Sequence, residues 1–561
     1  MIAKIHASKS KNVLLHAAVL SIKYFPKKQI QNQWHKQLTP FLFQSINLYS
    51  LSIFITLLVL ALTPKSTRAQ VGGLDPSFDV DGRVSTLIGQ SSNAYAVALQ
   101  PDGKIVIAGT CQQNNIAVIY VARYHANGIL DSTFDGDGIA ITPFSIYANV
   151  ASAIAIQPDG KIVVAGSIIN QGIYDFAVIR YNTIGSLDTS FDGDGKVSTK
   201  IGIASDEAYA LALQPDGKIV VGGMSVVSLG ADFALVRYNT NGSLDTTFSN
   251  DGKVTTSLNS GNDLINALVI QPNGKIVVVG YSYLNGTDCE VAVARYNSDG
   301  SLDLSFDNDG FVITPFGNEL DYATDVLLQP DGKIVVGGQS YNGVDLDMFL
   351  LRYLSTGSLD NTFDVDGKVI LDINNDNNAT NSIALQSDGK ILIGGYSANT
   401  SIDFCLVRYL PNGTLDNSFD GDGIVTTAIT SSLDKANGMV IQPDKKIVLA
   451  GYSSINGVDS TVLCRYFMDN ALTVSGTNAK ASFQIFPNPF SETTTLVFNQ
   501  ELNQASVTLY SLIGQPITIL NNVSGNNIAI NRNGLPAGLY LIQISEKDKM
   551  VSNLHKIQIK D

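Results

Sequence analysis

Histidine and tryptophan are nearly missing from this chain of 561 residues. Three of the five histidines (His6, His16 and His35) fall in the first 69 residues, which leaves only His125 and His555. A Ser-His-Asp or Cys-His arrangement in the body of the chain would have to be built on His125, and no second histidine lies near enough in sequence to share a metal with it. His125, which directly follows an Arg-Tyr pair, is read as a surface residue. The sole tryptophan, Trp34, also lies in the first segment, so the remainder lacks the best stacking platform for a sugar or a choline group. Charged residues make up 15% of the chain, too few for a bundle of long solvated helices. Four cysteines, Cys111, Cys289, Cys405 and Cys464, form no close CxxC pair. Cys405 and Cys464 stand three and one residues before matching Arg-Tyr pairs, on the same face of equivalent strands. They are expected as free, buried thiols.

Acidic residues are absent from residues 1–69, which hold nine lysines and arginines. An apolar run from Leu48 to Leu62 and small residues at Thr67 and Ala69 follow, in the basic, apolar, small-residue order of a secretory signal cleaved before Gln70. The leader is long for that class, so the true start is left open. The alternative is an uncleaved anchor, for which the apolar run is short. The whole chain carries a formal charge of −14, and the part beyond the leader is more acidic still. Such a surface repels phosphate backbones, so nucleic acid is excluded as a partner.

What the chain does have is repetition and 49 glycines. Gln100-Pro101-Asp102-Gly103-Lys104-Ile105 recurs at Gln157, Gln214, Gln271, Gln329, Gln386 and Gln442, at spacings of 57, 57, 57, 58, 57 and 56 residues. Each unit opens with Leu-Asp-x-x-Phe and an Asp/Gly turn, as in Leu187 to Gly195. Four strands are then read at Lys196 to Thr199, Ala208 to Gln214, Lys218 to Gly222 and Asp232 to Tyr238, the last ending in Arg-Tyr. Proline and aspartate set the corners of a type I turn, and glycine takes the left-handed position after them. Lys445 occupies that position in the seventh copy. The third strand is apolar on both faces (Ile162, Val163, Val164, Ala165), as in a sheet sandwiched between two others. A four-stranded unit of this length fits a propeller blade, and seven close a ring. A lone strand at Arg83 to Leu87 precedes the array, which ends at Arg465-Tyr466. That strand is expected to complete the last blade.

The expected fold is therefore all-β, a seven-bladed β-propeller followed by a small immunoglobulin-like β-sandwich. The boundaries are a leader at 1–69, the propeller at 70–469, a small-residue linker at 470–481 and a C-terminal module at 482–561. With Leu-Asp-x-x-Phe, Gln-Pro-Asp-Gly-Lys-Ile and Arg-Tyr, residues 73–466 resemble the delta-60 repeat family, a bacterial propeller-type repeat that implies no established catalysis. In the C-terminal module, strands are read at Thr493 to Phe498, Ala505 to Tyr510, Ile528 to Asn531, Leu539 to Ile544 and Lys556 to Ile559. Phe486-Pro487-Asn488-Pro489, Val507-Thr508-Leu509-Tyr510, Leu535 to Tyr540 and the terminal Lys556-Ile557-Gln558-Ile559-Lys560 resemble the type A sorting domain of the type IX secretion system. That resemblance implies a Gram-negative bacterium, passage through the periplasm and outer membrane, and the type IX machinery as a partner.

No catalytic residue and no cofactor are assigned, and a metal is left open. The repeated arginines (Arg123, Arg180, Arg237, Arg295, Arg352, Arg408 and Arg465) are each expected to pair with an aspartate of a Leu-Asp-x-x-Phe segment, for which a bidentate pair would be well suited. Asp131, Asp135 and Asp137, like Asp188, Asp192 and Asp194, offer alternating carboxylates to calcium, although aspartate is also simply a good turn former. Tyr147, Tyr283 and Tyr341 are candidate rim residues. The irregular stretches Ile201 to Glu207 and Leu371 to Ala379 are where a ligand would sit. The leading reading is a secreted or surface-displayed binding and structural protein with an extracellular ligand, glycan or protein, and not an enzyme. The alternative is a hydrolase or lyase acting on polysaccharide.

Overall fold

The computed structural model describes residues 70–228, 230–284, 288–316, 320–469, 483–510, 516–546, 549–550 and 555–560. The leader and linker lie outside them. Within each unit the apolar alternation produces strands at or near the expected positions. In the third unit these are Lys196–Thr199, Asp206–Leu213, Ile219–Val226 and Ala231–Tyr238. A blade, however, is one strand out of phase with the unit. Asp206–Leu213, Ile219–Val226 and Ala231–Tyr238 pair in sequence, and the fourth, outer strand is Lys253–Thr256 from the unit that follows. The blades are numbered one to seven by their inner strands, which begin at Ser92, Asn149, Asp206, Asp263, Asp321, Asn378 and Leu433. Each inner strand lies beside the inner strand of the next blade, and the seventh lies beside the first.

The phase offset leaves one strand over at the start of the array and one missing at its end. The spare strand, Arg83–Thr86, pairs antiparallel with Val458–Phe467 in the register Arg83 to Cys464 and Thr86 to Thr461. The preceding segment seals the same seam: Gly72 and Asp75 donate backbone hydrogen bonds to Phe467 and Arg465, each at 2.8 Å. The ring is thus closed by hydrogen bonds between the two ends of the array.

Burial follows from the sandwiching. Ile162, Val163, Val164 and Ala165 are all fully buried. Ile162 and Val164 pack against blade one, whereas Val163 and Ala165 pack against blade three, so the two-residue period deals side chains alternately to the two seams. One glycine per blade admits a close approach. A Cβ on Gly223 would lie 1.9 Å from the Glu207 carbonyl, beside the bulge that shifts register between Ala208 and Ala210. Lys445 adopts the left-handed conformation (φ 61°) that glycine or asparagine takes more easily. All four cysteines are buried and free, and burial pushes the Cys405 and Cys464 thiols up to about 12.

In the C-terminal module the stretches Thr493 to Phe498 and Ala505 to Tyr510 are halves of one long strand, Thr493–Tyr510, interrupted by register shifts. Its first half pairs with Phe483–Phe486 and its second with Gly538–Glu546, while Pro516–Asn531 follows it throughout. His555–Ile559 completes the far edge. The six-stranded sheet encloses one core that includes Leu496, Val507, Ile542, Ile544 and Ile557.

Deleting residues 71–90 removes the closing strand and its flanking bonds. The thermal midpoint is expected to fall by more than 10 °C in a melting curve. An unchanged midpoint would mean that the last blade does not need this strand.

Candidate functional site

The repeated motifs converge on one face of the ring. In each seam the arginine near the end of a third strand is buried against a Leu-Asp-x-x-Phe segment, the one that follows it in the chain or, for Arg465, the N-terminal Leu74 to Phe78. Arg237 Nε donates to Asp245 Oδ2 at 2.6 Å, its Nη2 donates to Thr247 Oγ1 at 3.1 Å, and its guanidinium lies 4.5 Å from the centre of the Phe248 ring. Lys218 from the Pro-Asp-Gly turn places Nζ 3.0 Å from the same Asp245 oxygen. The remaining donor, Nη1, leaves the blade. That of Arg180 reaches the Thr240 carbonyl of the next blade at 2.5 Å, that of Arg295 reaches Ser355, and that of Arg465 reaches Ala126 and so closes the circle. All seven arginines lie over the phenylalanine of their segment at 4.4–4.7 Å. The Arg–Asp pairing is as expected, but it runs through one nitrogen rather than as a bidentate fork: Nε in six of the arginines, and in Arg465 the Nη2 that also meets Ser77.

A second bond crosses six of the seams. The tyrosine after each arginine is buried and meets a threonine of the preceding blade's outer strand, as Tyr181 does with Thr142 at 2.7 Å. At the seam between blades five and six, Leu371 ends the outer strand in place of threonine, opposite Tyr409.

The latch accounts for the Asp/Gly turns. Burial alone would raise the Asp131 carboxyl, but hydrogen bonds from Thr133 and Lys104 and the charge of Arg123 hold it far below the usual carboxylate range. Asp188 is held down in the same way by Lys161, Ser190 and Arg180. Asp137 and Asp194 each accept the amide two residues on, at 2.9 Å, while Asp135 and Asp192 take the left-handed corner of the turn. Among the described residues no three His, Cys, Asp or Glu side chains stand together in a way that suits a metal ion. His125 sits half-exposed with Nε2 3.6 Å from Asp131.

The opposite face is different in each blade. There the outer-to-inner connections are pinned by the first polar residue of the inner strand: Asp206 accepts the Ile201 amide, Asp263 that of Leu258 and Asp434 that of Ile429, each at 2.7 Å. Burial raises the Asp263 carboxyl, partly offset by Ser282 and the loop amides. Half-buried tyrosines gather beside these connections. Tyr281 of blade four packs edge-to-face on Tyr283 at 5.6 Å and on Tyr322 of blade five at 5.0 Å, and burial together with its neighbours raises its phenol to about 12. Tyr209 on the inner strand of blade three donates to Glu207 at 2.6 Å. Lys435 of blade seven sits 4.6 Å from the centre of the Tyr396 ring of blade six.

Of the rim candidates, Tyr283 belongs to this cluster, Tyr147 is exposed on the connection between blades one and two, and Tyr341 is half-buried at the end of Ile334–Tyr341. Ile201 to Glu207 and Leu371 to Ala379 do span connections of this face. Tyr209, Tyr281 and Tyr322 were not singled out from sequence. The available signal was a ring at positions where some other copies carry small or polar residues, Ser152 and Asn266 at the position of Tyr209 and Thr110 and Ser167 at that of Tyr281. A cleft of about 440 Å³ between Gln100, Asp102, Lys104, Pro158 and Thr183 opens instead on the latch face.

Comparison with known proteins bears on which face is which. The family described as "Domain of unknown function (DUF5122) beta-propeller" matches at residues 100–134, 157–191, 214–248, 271–306, 329–363, 386–419 and 442–471. The "Secretion system C-terminal sorting domain" matches at 484–560. The chain is a DUF5122 β-propeller with a type IX sorting domain. This propeller is therefore exported through the type IX system to the cell surface or the extracellular space. The first six DUF5122 matches run from the turn glutamine to the latch phenylalanine, as from Gln100 to Phe134. They cover the part of each blade that makes the latch and leave out the connection and inner strand on which Tyr209 and Tyr322 stand.

Solved structures similar to the DUF5122 chain include PorZ, a surface component of the type IX secretion system of Porphyromonas gingivalis (10% identity, 86% of this chain and 74% of that one, TM-score 0.27). Polysaccharide lyase Uly1 matches at 11% identity over 68% of this chain and 90% of its own, with a TM-score of 0.38. Drosophila Semaphorin 1b matches at 10% over 72% and 88%, also with a TM-score of 0.38. No curated protein matches the chain.

Removing one latch cation strands a buried carboxylate. Arg237→Ala is expected to lower stability by about 3 kcal/mol or more in urea unfolding, and a loss under about 0.5 kcal/mol would reduce the latch to a surface ion pair. The depressed carboxylates also set an acid limit. Their contribution is complete above the unfolded aspartate value of about 3.9 and is lost as pH falls through the folded values, that of Asp416 being about 2. The urea midpoint is expected to hold between about pH 7 and 5 and to drop between about pH 4 and 2. A midpoint that falls mainly above pH 5 would contradict the assignment.

Proposed function

We propose that this exported propeller is a binding protein rather than an enzyme, and that its extracellular ligand, glycan or protein, sits on the face opposite the latch. One observation carries the reading. The seven copies are alike where they hold the ring together and differ where the tyrosines gather. A binding site needs such local departures, whereas the fold needs the parts that all seven blades share.

Several features support binding over catalysis. His125 lies beside the latch, far from the tyrosine cluster in the order of the fold. The thiols are buried, and their raised values keep them protonated and unreactive at neutral pH. The carboxylates at the heads of the inner strands are engaged by loop amides, which leaves them poorly placed to move protons on a substrate.

Purified protein incubated with envelope polysaccharides is expected to retain one of them, or an envelope protein, on a column without releasing reducing ends or unsaturated sugars over a day. Steady product formation at catalytic protein concentration would make the protein a hydrolase or lyase instead.

A further inference from the structure

The face opposite the latch is itself uneven, and the unevenness follows a regular rule. Every inner strand carries one bulge residue, after its third position or, in blade seven, its fourth: Tyr95, Ser152, Tyr209, Asn266, Thr324, Asn381 and Asn437 in blades one to seven. Four of these side chains cross to the next blade. Asn266 donates to the Ala323 carbonyl, Thr324 to Thr380, Asn381 to Ala436 and Asn437 to Ala94, each at 2.7 Å. Asp325 adds a further bond across the same arc by accepting the Ile383 amide at 2.7 Å. From blade four round to blade one the inner strands are therefore tied together by their bulges.

The other three bulges make no such tie; there, hydroxyls of the second strand cross the seams instead, Thr110 accepting the Ala151 amide at 3.3 Å and Ser167 the Ala208 amide at 2.9 Å. Ser152 is too short, and Tyr95 and Tyr209 too large, to repeat the bond, and the Tyr209 hydroxyl is spent on Glu207 within its own strand. Tyr95 and Tyr209 are half-buried on the strand nearest the axis. The residue after each bulge is alanine in blades one to four (Ala96, Ala153, Ala210 and Ala267), which leaves a low wall beside the rings. The connections above two of these seams also carry exposed apolar residues, Ile146 and Tyr147 between blades one and two and Ile203 between blades two and three, while on the rest of this face Leu87, Val344 and Ile455 are exposed. The connection between blades five and six reads Asp372-Ile373-Asn374-Asn375-Asp376-Asn377, and its one apolar residue, Ile373, is buried.

We infer that the ligand site lies on the arc of blades one to three, whose bulge side chains do not reach the next blade, and takes an uncharged glycan, stacked on Tyr95 and Tyr209 with hydrogen bonds to Glu207 and Ser152. The inference rests on the binding function proposed above and narrows it. Tyrosine offers a flat apolar face and a polar tip, which suits the C–H face and hydroxyl rim of a pyranose. The carboxylate of Glu207 accepts hydroxyl hydrogens and repels uronates and sulfates, in keeping with the negative charge of the chain. Because the four tied bulges already have their polar atoms engaged, they contribute little to recognition.

The test uses the full exported chain in titration calorimetry against a neutral panel (β-glucan, xylan and mannan), alginate as the polyanion, and a detergent-solubilised envelope protein fraction. One neutral glycan is expected to bind. Tyr209→Ala or Tyr95→Ala is expected to weaken it by about tenfold, the affinity equivalent of one lost aromatic contact. Tyr396→Ala and Asn381→Ala, on the tied arc, are expected to change it less than about twofold. Melting curves for each variant separate a lost contact from a lost fold.

If a neutral glycan binds but Tyr396→Ala weakens it as much as Tyr209→Ala, the placement is overturned while the binding function stands. Tighter binding of alginate overturns the chemistry of the site in the same way. Binding of the protein fraction alone overturns the glycan inference and leaves the binding function intact. Binding of nothing on the panel or in the fraction overturns both.

Discussion

A buried guanidinium that belongs to two blades at once is the interaction on which this structure depends. A blade of this propeller has a stiff apolar centre, but apolar packing is indifferent to small slides of one sheet over another. The arginine removes that freedom. It is held from below by phenylalanine, from the side by an aspartate that lysine also serves, and its last donor is spent on a carbonyl of the neighbour. Its charge is compensated and most of its donors are used, which is the condition under which a buried ion pair is tolerated at all. Seven such contacts in a closed ring fix the angle between sheets, and the tyrosine–threonine bonds of six seams reinforce it.

The closure follows from the same geometry. Since each blade borrows its outer strand from the next unit, a linear array is always one strand short at its end. The N-terminal segment supplies that strand and more, because Asp75, Ser77 and Phe78 also provide the partners Arg465 would otherwise lack. A ring held this way on one face leaves the other free to vary. Connections pinned by a single carboxylate can change length and composition without disturbing the seams, as the contrast between Ile201 to Glu207 and Leu371 to Ala379 illustrates.

How much of this was legible beforehand divides along the same line. Features repeated seven times were readable, because a physical need shared by every blade writes the same residues each time. The strands, the Pro-Asp-Gly turns and the Arg–Asp pairing fall in this class, and the closing strand was readable from the mismatch between the two ends of the array. The phase of the blade showed only at those two ends, since strand pairing within the array is a long-range choice that leaves no mark on a repeat's internal pattern. The third partner of each arginine was hidden for a similar reason, as a backbone carbonyl about 60 residues on, or 339 residues back in the case of Arg465, has no residue signature. The C-terminal module showed its strand segments but not that Thr493 to Phe498 and Ala505 to Tyr510 are one bent strand, because the interruption looks like a turn in sequence. The tyrosine cluster was missed because it is assembled from unlike positions of several blades. Only comparison of equivalent positions across copies points to it, where Tyr209 stands against Ser152 and Tyr322 against Lys435.

Amide hydrogen exchange on the intact protein probes the closed, latched ring most directly. If the account is right, the hydrogen-bonded amides of Arg83–Thr86 and the amide of Arg465, which is bonded to Gly82, exchange only through global unfolding, as slowly as those of Ile219–Val226 in the middle of the array. Exchange of the closing strand within seconds while the central blades stay protected would show that the ends are not joined, and the ring described here would not be the structure in solution.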